Sequence, residues 1–358
     1  MIDVEEVAQI AARIWDRDAG GARGPWTLEV YPTLRCNLDC AFCDTTDRHR
    51  PAVNELPAER WLAIIDEAAE LGVRRVCVLG GGEPLLSAAT PAILRRIKER
   101  GMAGWMTTNG TRLDAVTRDL MVELGWDEVH VSVDGAGPAT HDALRGKAGA
   151  FRRTVAATCR LRQARDAVGA ATPRLALHTV LTNRNWREIP DIVRLAAALG
   201  AFRVDFDALV AYRPEQRALA LSAEDLVALP ASVAAGLEEA ARLGIATTLQ
   251  NFLGPEVLQR GSRPPDAGTG VGLAHAPCLK AWHYLVVQAD GRTSPCCVLA
   301  GEGESVAEAS LHSTWESSAF LGNIRSGMLA GKPAGRCAEC SENILVHERA
   351  IRARLPAA

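Results

Sequence analysis

Cys36, Cys40 and Cys43, in the stretch LRCNLDCAFCDTT, stand at C-x-x-x-C-x-x-C spacing. Three thiolates this close on one loop suit a single metal centre, and soft sulfur ligands select zinc or an iron-sulfur cluster. A structural zinc site wants a fourth Cys or His beside the three. His49 follows six residues after Cys43, yet no fourth cysteine is near, so one coordination position stays open, as a catalytic centre needs. Cys278, Cys296, Cys337 and Cys340 form a second set, the last two in a C-x-x-C pair, for which a zinc knuckle is the plain structural reading. The start MIDVEE lacks the basic and apolar regions of a secretory signal, so the ten cysteines are not read as disulfides. Cys77, in the apolar run VCVLG, and Cys159, in TVAATCRLRQA, read as small buried residues.

The elements that must position these thiols alternate along the chain. WTLEVYPT, RRVCVLG, GMAGWMTTN, DEVHVSVDG, RLALHTVLT and FRVDFDALV read as strands, with amphipathic helical stretches such as PAERWLAIIDEAAELG between them. Strand and helix in alternation imply parallel strands joined by helical crossovers, an α/β fold. A doubly wound sheet would alternate in the same way; the cysteine loop directly after the first strand favours an open or partial barrel. GSRPPDAGTGVG reads as a linker, and its glycines do not follow a strand and open a helix, which argues against a dinucleotide fingerprint. WHYLVVQADGRTSPCCV reads as a hairpin turning at Asp290-Gly291.

At 358 residues the chain has room for one large domain and a smaller one. With 48% hydrophobic and 23% charged residues and a net charge of -3, it has the balance of an ordinary globular protein, and nothing points to nucleic acid. No apolar run approaches the roughly 20 residues of a membrane span, so a cytoplasmic protein is expected.

Four stretches fall at strand ends in order: the cysteine loop, Gly81-Gly82-Glu83-Pro84, Thr107-Thr108-Asn109-Gly110, and SVDG with Ser132 and Asp134, followed by HDALRG with Arg145. Together they resemble the radical S-adenosylmethionine superfamily, and the resemblance implies a partial (β/α)6 barrel. It implies that Cys36, Cys40 and Cys43 hold a 4Fe-4S cluster whose open iron binds S-adenosylmethionine, with Phe42 packing by the adenine. Gly81, Gly82, Glu83, Thr108, Asn109, Ser132, Asp134 and Arg145 would be the cofactor contacts. Glycines let backbone approach a ligand closely, and Glu83 can accept a charge-assisted hydrogen bond from an ammonium. The C-terminal edge of the strands is also where α/β barrels place active sites. In that family an electron from the cluster cleaves the cofactor to methionine and a 5'-deoxyadenosyl radical, which takes a hydrogen from substrate; an electron donor such as flavodoxin or ferredoxin is implied.

The second cysteine set is similar to the SPASM extension, or to its shorter twitch form, a small C-terminal domain of β-hairpin plus helix. Gly291 and the G-x-x-x-x-C spacing pick Cys296, and no cysteine follows Cys340, which implies one auxiliary 4Fe-4S cluster held by Cys278, Cys296, Cys337 and Cys340. TWESSAFLGNIRSGM looks like that extension's Trp-led helix. Read as neighbours on a strand, Cys296 and Cys297 face opposite ways, which leaves Cys297 as a candidate hydrogen-atom donor or a plain buried thiol. The expected organisation is an N-terminal helical extension at 1–25, the radical SAM partial barrel at 26–212, a helical linker at 213–275, the auxiliary domain at 276–348 and a tail at 349–358.

His178, Asp205 and Asp207 sit on the last two predicted strands; they are candidates for holding substrate hydroxyls or taking a proton, against solvent-exposed strand ends or a salt bridge as the plain reading. The arginines of RLRQAR read as a solvated face. Family members with one auxiliary cluster include enzymes of aminocyclitols and sugars, and peptide modifiers often carry a leader-recognition domain. About 25 residues precede the first strand, so the expected substrate is a small polar molecule, a sugar or cyclitol, undergoing epimerisation or dehydrogenation. A peptide-modifying SPASM maturase is the alternative. An iron-sulfur electron carrier is the third reading, and it has no need of GGEP, TNG and SVDG.

Overall fold

A computed structural model describes residues 4–18, 23–43, 54–211, 213–253, 272–299, 301–338, 340, 348 and 350–355. His49 and most of GSRPPDAGTGVG lie outside the described residues. In chain order the helices and strands are α1 (Val4–Asp18), β1 (Thr27–Val30), α2 (Ala58–Glu70), β2 (Arg75–Val78), α3 (Thr90–Glu99), β3 (Ala103–Thr108), α4 (Ala115–Glu123), β4 (Glu128–Ser132), α5 (Pro138–Arg145), α6 (Ala150–Ala167), β5 (Arg174–Leu181), α7 (Ile189–Leu199), β6 (Arg203–Ala208), α8 (Ala223–Leu243), β7 (Ala246–Thr247), α9 (Lys280–His283), β8 (Tyr284–Val287), β9 (Thr293–Ser294), α10 (Leu311–Ser317) and α11 (Ala319–Leu329).

The helices form where one stripe can be buried. Trp61, Ile64, Ile65 and Ala68 recur at helical spacing and bury one face of α2. Ser222 and Asp225 close a reciprocal capping box on α8, each side chain bonding the other's backbone N–H (3.1 and 3.0 Å), and Gly244 ends the helix at φ 68°.

The strands form one sheet in the order β7-β6-β5-β4-β3-β2-β1-β8-β9, parallel except where β9 returns against β8. All six expected strands are present. The auxiliary hairpin adds to the same sheet beside β1, and the turn at Gly291 closes with Gln288 accepting from the Gly291 N–H at 2.8 Å. The stretch expected as a helical linker includes α8 and β7; Leu229, Val233 and Ala240 of α8 join the main core, and β7 extends the sheet at β6. The Trp-led helix is two helices, broken at Ser318, whose side chain accepts from the Leu321 N–H and starts the second.

Strand registers separate two faces. Leu28, Val30, Val76, Val78, Met106, Val129, Val131, Leu177, Val204 and Phe206 pack with the helices into the main core. The opposite face carries Glu29, Cys77 and Trp105 in one row and Ser132, His178 and Asp205 in another, with Asp207 two residues on. The two acids of β6 therefore stand on the polar inner face. A second core of α1 (Val7, Ile10, Ala11, Ile14), Trp26, Leu279, Trp282 and Ile351 ties the N-terminus to the auxiliary region. Ile14 is fully buried there, a contribution of about 1.5–3 kcal/mol.

Candidate functional site

The loop after β1 carries Cys36, Cys40 and Cys43, and the loops after β2, β3 and β4 grip it. The Glu83 N–H donates to the Arg35 carbonyl at 2.8 Å, and the N–H groups of Asp39 and Ala41 donate to Arg145 and Leu144 at the end of α5 (3.1 and 2.8 Å). Glycine is required at two of these contacts. A Cβ on Gly82 would lie 2.0 Å from the Arg35 carbonyl oxygen, and one on Gly146, at φ 62°, would lie 2.1 Å from that of Asp39. Asn37 joins the grip, its amide donating to Thr111 at 2.8 Å and accepting from Asn109 at 3.1 Å. From beyond β6, the Arg213 guanidinium reaches the Cys43 carbonyl at 2.5 Å.

Glu83 is 1% exposed, and its carboxylate accepts from the Thr108 hydroxyl (2.6 Å) and from the N–H groups of Asn109 (2.8 Å) and Leu85 (3.2 Å). It is thus the clamp between the GGEP and TNG loops. Burial pushes its pKa up, and these three donors work against that shift. Asp134 is fully buried, paired with Arg145, and also accepts from the Val180 N–H at 2.8 Å. Arg145 in turn lies 3.6 Å from the Cys40 sulfur and 5.4 Å from the centre of the Phe42 ring. His141 supports this pair by accepting from the Asp134 N–H at 3.2 Å; burial, then the Arg145 charge, lower its pKa to about 4, so it is neutral near pH 7. Ser132 and Thr108 are buried at the ends of their strands, and Gly81 lies in the same loop as Gly82.

The donor set fits a sulfur-bound centre. All ten cysteines are free thiols. Around Cys36 the Leu38 N–H and the Asn109 amide approach its sulfur at 3.5 and 4.0 Å, as donors to a thiolate do. Burial pushes the Cys40 thiol up to about 11, with Arg145 opposing the shift, so an electron-poor centre is what would make it a thiolate. Among the described residues no group of three His, Cys, Asp and Glu side chains is arranged to hold one metal ion. A cubane takes one thiolate per iron and needs its ligands further apart than a single zinc does.

Cys278, Cys296, Cys337 and Cys340 line one cavity, together with Pro277, Lys280 and Met328. Cys297 is not among the lining residues. The sequence-based reason for separating the two thiols is corrected here: β9 ends at Ser294, and Cys297 opens a short 3-10 turn, Cys297–Leu299, so a turn and not strand alternation parts them. Cys297 keeps exposed surface yet is hemmed in by protein; that crowding, then the charge of Glu29, pushes its thiol up to about 12.

On the inner face, the Asp207 carboxylate accepts from His178 Nε2 at 2.6 Å. Crowding of His178 works against its charge, but Asp207 more than offsets this and raises the pKa. Asp205 pairs with Arg203 at 2.9 Å, the plain salt-bridge role weighed for it. Sequence reasoning missed Glu29, whose carboxylate meets the Tyr284 hydroxyl, and also Asn37, His141, Lys280 and Glu348. Asn37, directly after the first cysteine, had a usable signal; Glu348 had none.

Residues 30–196 match the Radical SAM superfamily, and residues 278–341 match the SPASM iron-sulfur cluster-binding domain. A PqqA peptide cyclase of Granulibacter bethesdensis is 28% identical over 322 residues, covering 87% of this chain and 79% of that protein. An AdoMet-dependent heme synthase of Methanosarcina barkeri is 34% identical over 169 residues, 47% of this chain and 46% of that one. In fold, Streptococcus suis SuiB bound to precursor peptide SuiA superposes with a TM-score of 0.67 at 20% identity, over 87% of this chain and 69% of SuiB. The anSMEcpe structure with bound AdoMet and Cp18Cys peptide gives 0.61 at 15% identity, over 90% of this chain and 88% of that one.

Proposed function

This chain belongs to the radical S-adenosylmethionine superfamily and carries its SPASM iron-sulfur domain, and from that premise we propose that it is an enzyme oxidising a peptide at an unreactive C-H bond. A 4Fe-4S cluster, S-adenosylmethionine and auxiliary iron-sulfur chemistry come with these two domains. When bound, they supply a carbon radical strong enough to take a hydrogen atom and a sink for the electron left on the substrate.

The chain's own residues hold and shield that chemistry. Cys36, Cys40 and Cys43 are the ligands of the first cluster, and Arg145, kept charged by Asp134, faces Cys40 and Phe42. Glu83 retains acceptor capacity beyond its three bonds and takes the ammonium of the cofactor, while Asn109, Ser132 and the glycine-lined edge accept its remaining polar groups. Cys278, Cys296, Cys337 and Cys340 are the auxiliary ligands. His178 with Asp207, and Asp205, line the side of the sheet from which a substrate is approached.

The substrate class rests on one observation: the 28% identity to a PqqA peptide cyclase over 87% of this chain. It moves the reading away from the sugar or cyclitol that the sequence favoured. A second reading keeps a small polar substrate, because the inner face presents His178, Asp205 and Asp207 to hydroxyl groups. In that reading Cys297, a thiol held protonated, is the hydrogen-atom donor of an epimerase.

Anaerobic reconstitution followed by mass analysis decides between them. With a peptide library and a panel of aldoses and aminocyclitols as probes, a peptide lighter by two hydrogens supports the main reading. Turnover confined to the cyclitols would overturn it, with solvent deuterium in the product identifying epimerisation. Absence of 5'-deoxyadenosine with any probe, from protein loaded with iron, would remove both.

A further inference from the structure

Two charged side chains at the auxiliary pocket have no part in ligation. Lys280 lines the cavity with all four cysteines, and its ammonium lies 4.4 Å from the centre of the Tyr284 ring. Tyr284 is itself tied through its hydroxyl to Glu29 on the inner face of the sheet, which fixes the platform under the ammonium. Glu348, 1% exposed, comes from the far end of the chain to the same place. Its Oε2 accepts the N–H of Leu279, next to Cys278, at 2.8 Å, and its Oε1 lies 3.3 Å from His283 Nε2. Burial opposes its ionisation, but His283, Lys280 and the Leu279 N–H hold the carboxyl down at about 2. It is a fixed anion held against the backbone next to Cys278.

Reduction of a cluster in this pocket adds one negative charge to four thiolates. In a site with little water, a nearby ammonium favours that charge and a nearby carboxylate opposes it, and reduction potentials of iron-sulfur centres respond to such local charge. We propose that Lys280 and Glu348 are an opposed pair of fixed charges that sets the reduction potential of the auxiliary iron-sulfur centre, Lys280 raising it and Glu348 lowering it. Both are positioning residues: they touch neither substrate nor the reacting carbon, and they act by deciding how readily the auxiliary centre accepts an electron. The inference rests on the reading that Cys278, Cys296, Cys337 and Cys340 bind a cluster.

The test is an EPR-monitored potentiometric titration of the anaerobically reconstituted full chain, following the signal that added S-adenosylmethionine does not perturb. Lys280→Met should lower the midpoint by the equivalent of about tenfold in the reduction equilibrium, 59 mV for one electron. Glu348→Gln, which keeps an acceptor for the Leu279 N–H, should raise it, and Lys280→Arg should restore the wild-type value. General loosening of the pocket would move both variants the same way, so opposite signs are the diagnostic result. Shifts of equal sign, or none, in variants carrying full iron would overturn the proposal. Should Lys280→Met lose iron, Glu348→Gln decides alone: a rise supports the pair and an unchanged potential removes it. Wild-type protein with only about four irons per chain would instead sink the cluster reading beneath it.

Discussion

At the first sulfur site three cysteines share one loop between residues 36 and 43, and one buried cation, Arg145, is paired with a buried carboxylate, Asp134, directly behind them. At the second, four cysteines come from segments at 278, 296 and 337–340, and the charges around them, Lys280 and Glu348, are not joined in a direct ion pair among the described residues. The first site has its electrostatics locked by hydrogen bonds to strand-end loops; the second leaves a cation facing its cavity. A site that must bind and orient one cofactor in one pose gains from the first arrangement. A site that only passes electrons needs charge of the right sign and tolerates the second.

The widest gap between the sites should open on removing their ligands. Wild-type protein should take up about eight irons per chain, and Cys36→Ala/Cys40→Ala/Cys43→Ala about four, with complete loss of 5'-deoxyadenosine. Replacing Cys278, Cys296, Cys337 and Cys340 by Ala should also leave about four irons but preserve cleavage of S-adenosylmethionine. Iron analysis and product chromatography check both, and cleavage persisting in the first variant would reverse the assignment of the two sites.

Asp134→Asn should come next. It strands the Arg145 charge in a buried setting, a loss of about 3–5 kcal/mol by urea denaturation. Glu348→Gln at the other site should cost less, because the amide oxygen keeps an acceptor for the Leu279 N–H. Equal losses would mean that the two charge systems are equally locked.

Glu83→Ala should then weaken S-adenosylmethionine binding by about 1–3 kcal/mol, since it removes a charged acceptor and leaves the Thr108 hydroxyl and Asn109 N–H without theirs. Iron content should be unchanged. Isothermal titration of the reconstituted protein reads the affinity directly, and wild-type affinity in the variant would reduce GGEP to a turn.

The smallest effect belongs to the inner face. His178 has a raised pKa in the folded chain, so the stability it contributes with Asp207 is fully present below the ordinary histidine value of about 6.5 and is lost as pH rises through the folded value. Asp207 is 61% exposed in its side chain, so water screens the pair and the contribution should stay below about 1 kcal/mol. In Asp207→Asn the His178 pKa should fall toward the ordinary value, as an NMR titration would register; an unchanged pKa would assign the shift to another carboxylate.

What the sequence determined by itself is local. The C-x-x-x-C-x-x-C spacing holds three thiols on one loop in any fold, and period-two apolar runs bounded by turn residues make strands wherever one face is buried. GGEP, TNG and SVDG each end a strand, so their convergence at one sheet edge follows once the strands are parallel and in order. The auxiliary cysteines were legible for the same reason, as spacing.

Only the tertiary structure decided which side chains act on those thiols. Arg145 meets Cys40 across 105 residues of chain, and Glu348 meets Leu279 across 69, separations at which no periodicity or spacing carries information. It also decided that Cys297 leaves the cavity through a 3-10 turn, that Asp205 spends its charge on Arg203, and that the auxiliary hairpin continues the barrel sheet beside β1. Electrostatic and packing partners depend on distance in space, and that is fixed only when the whole chain has folded.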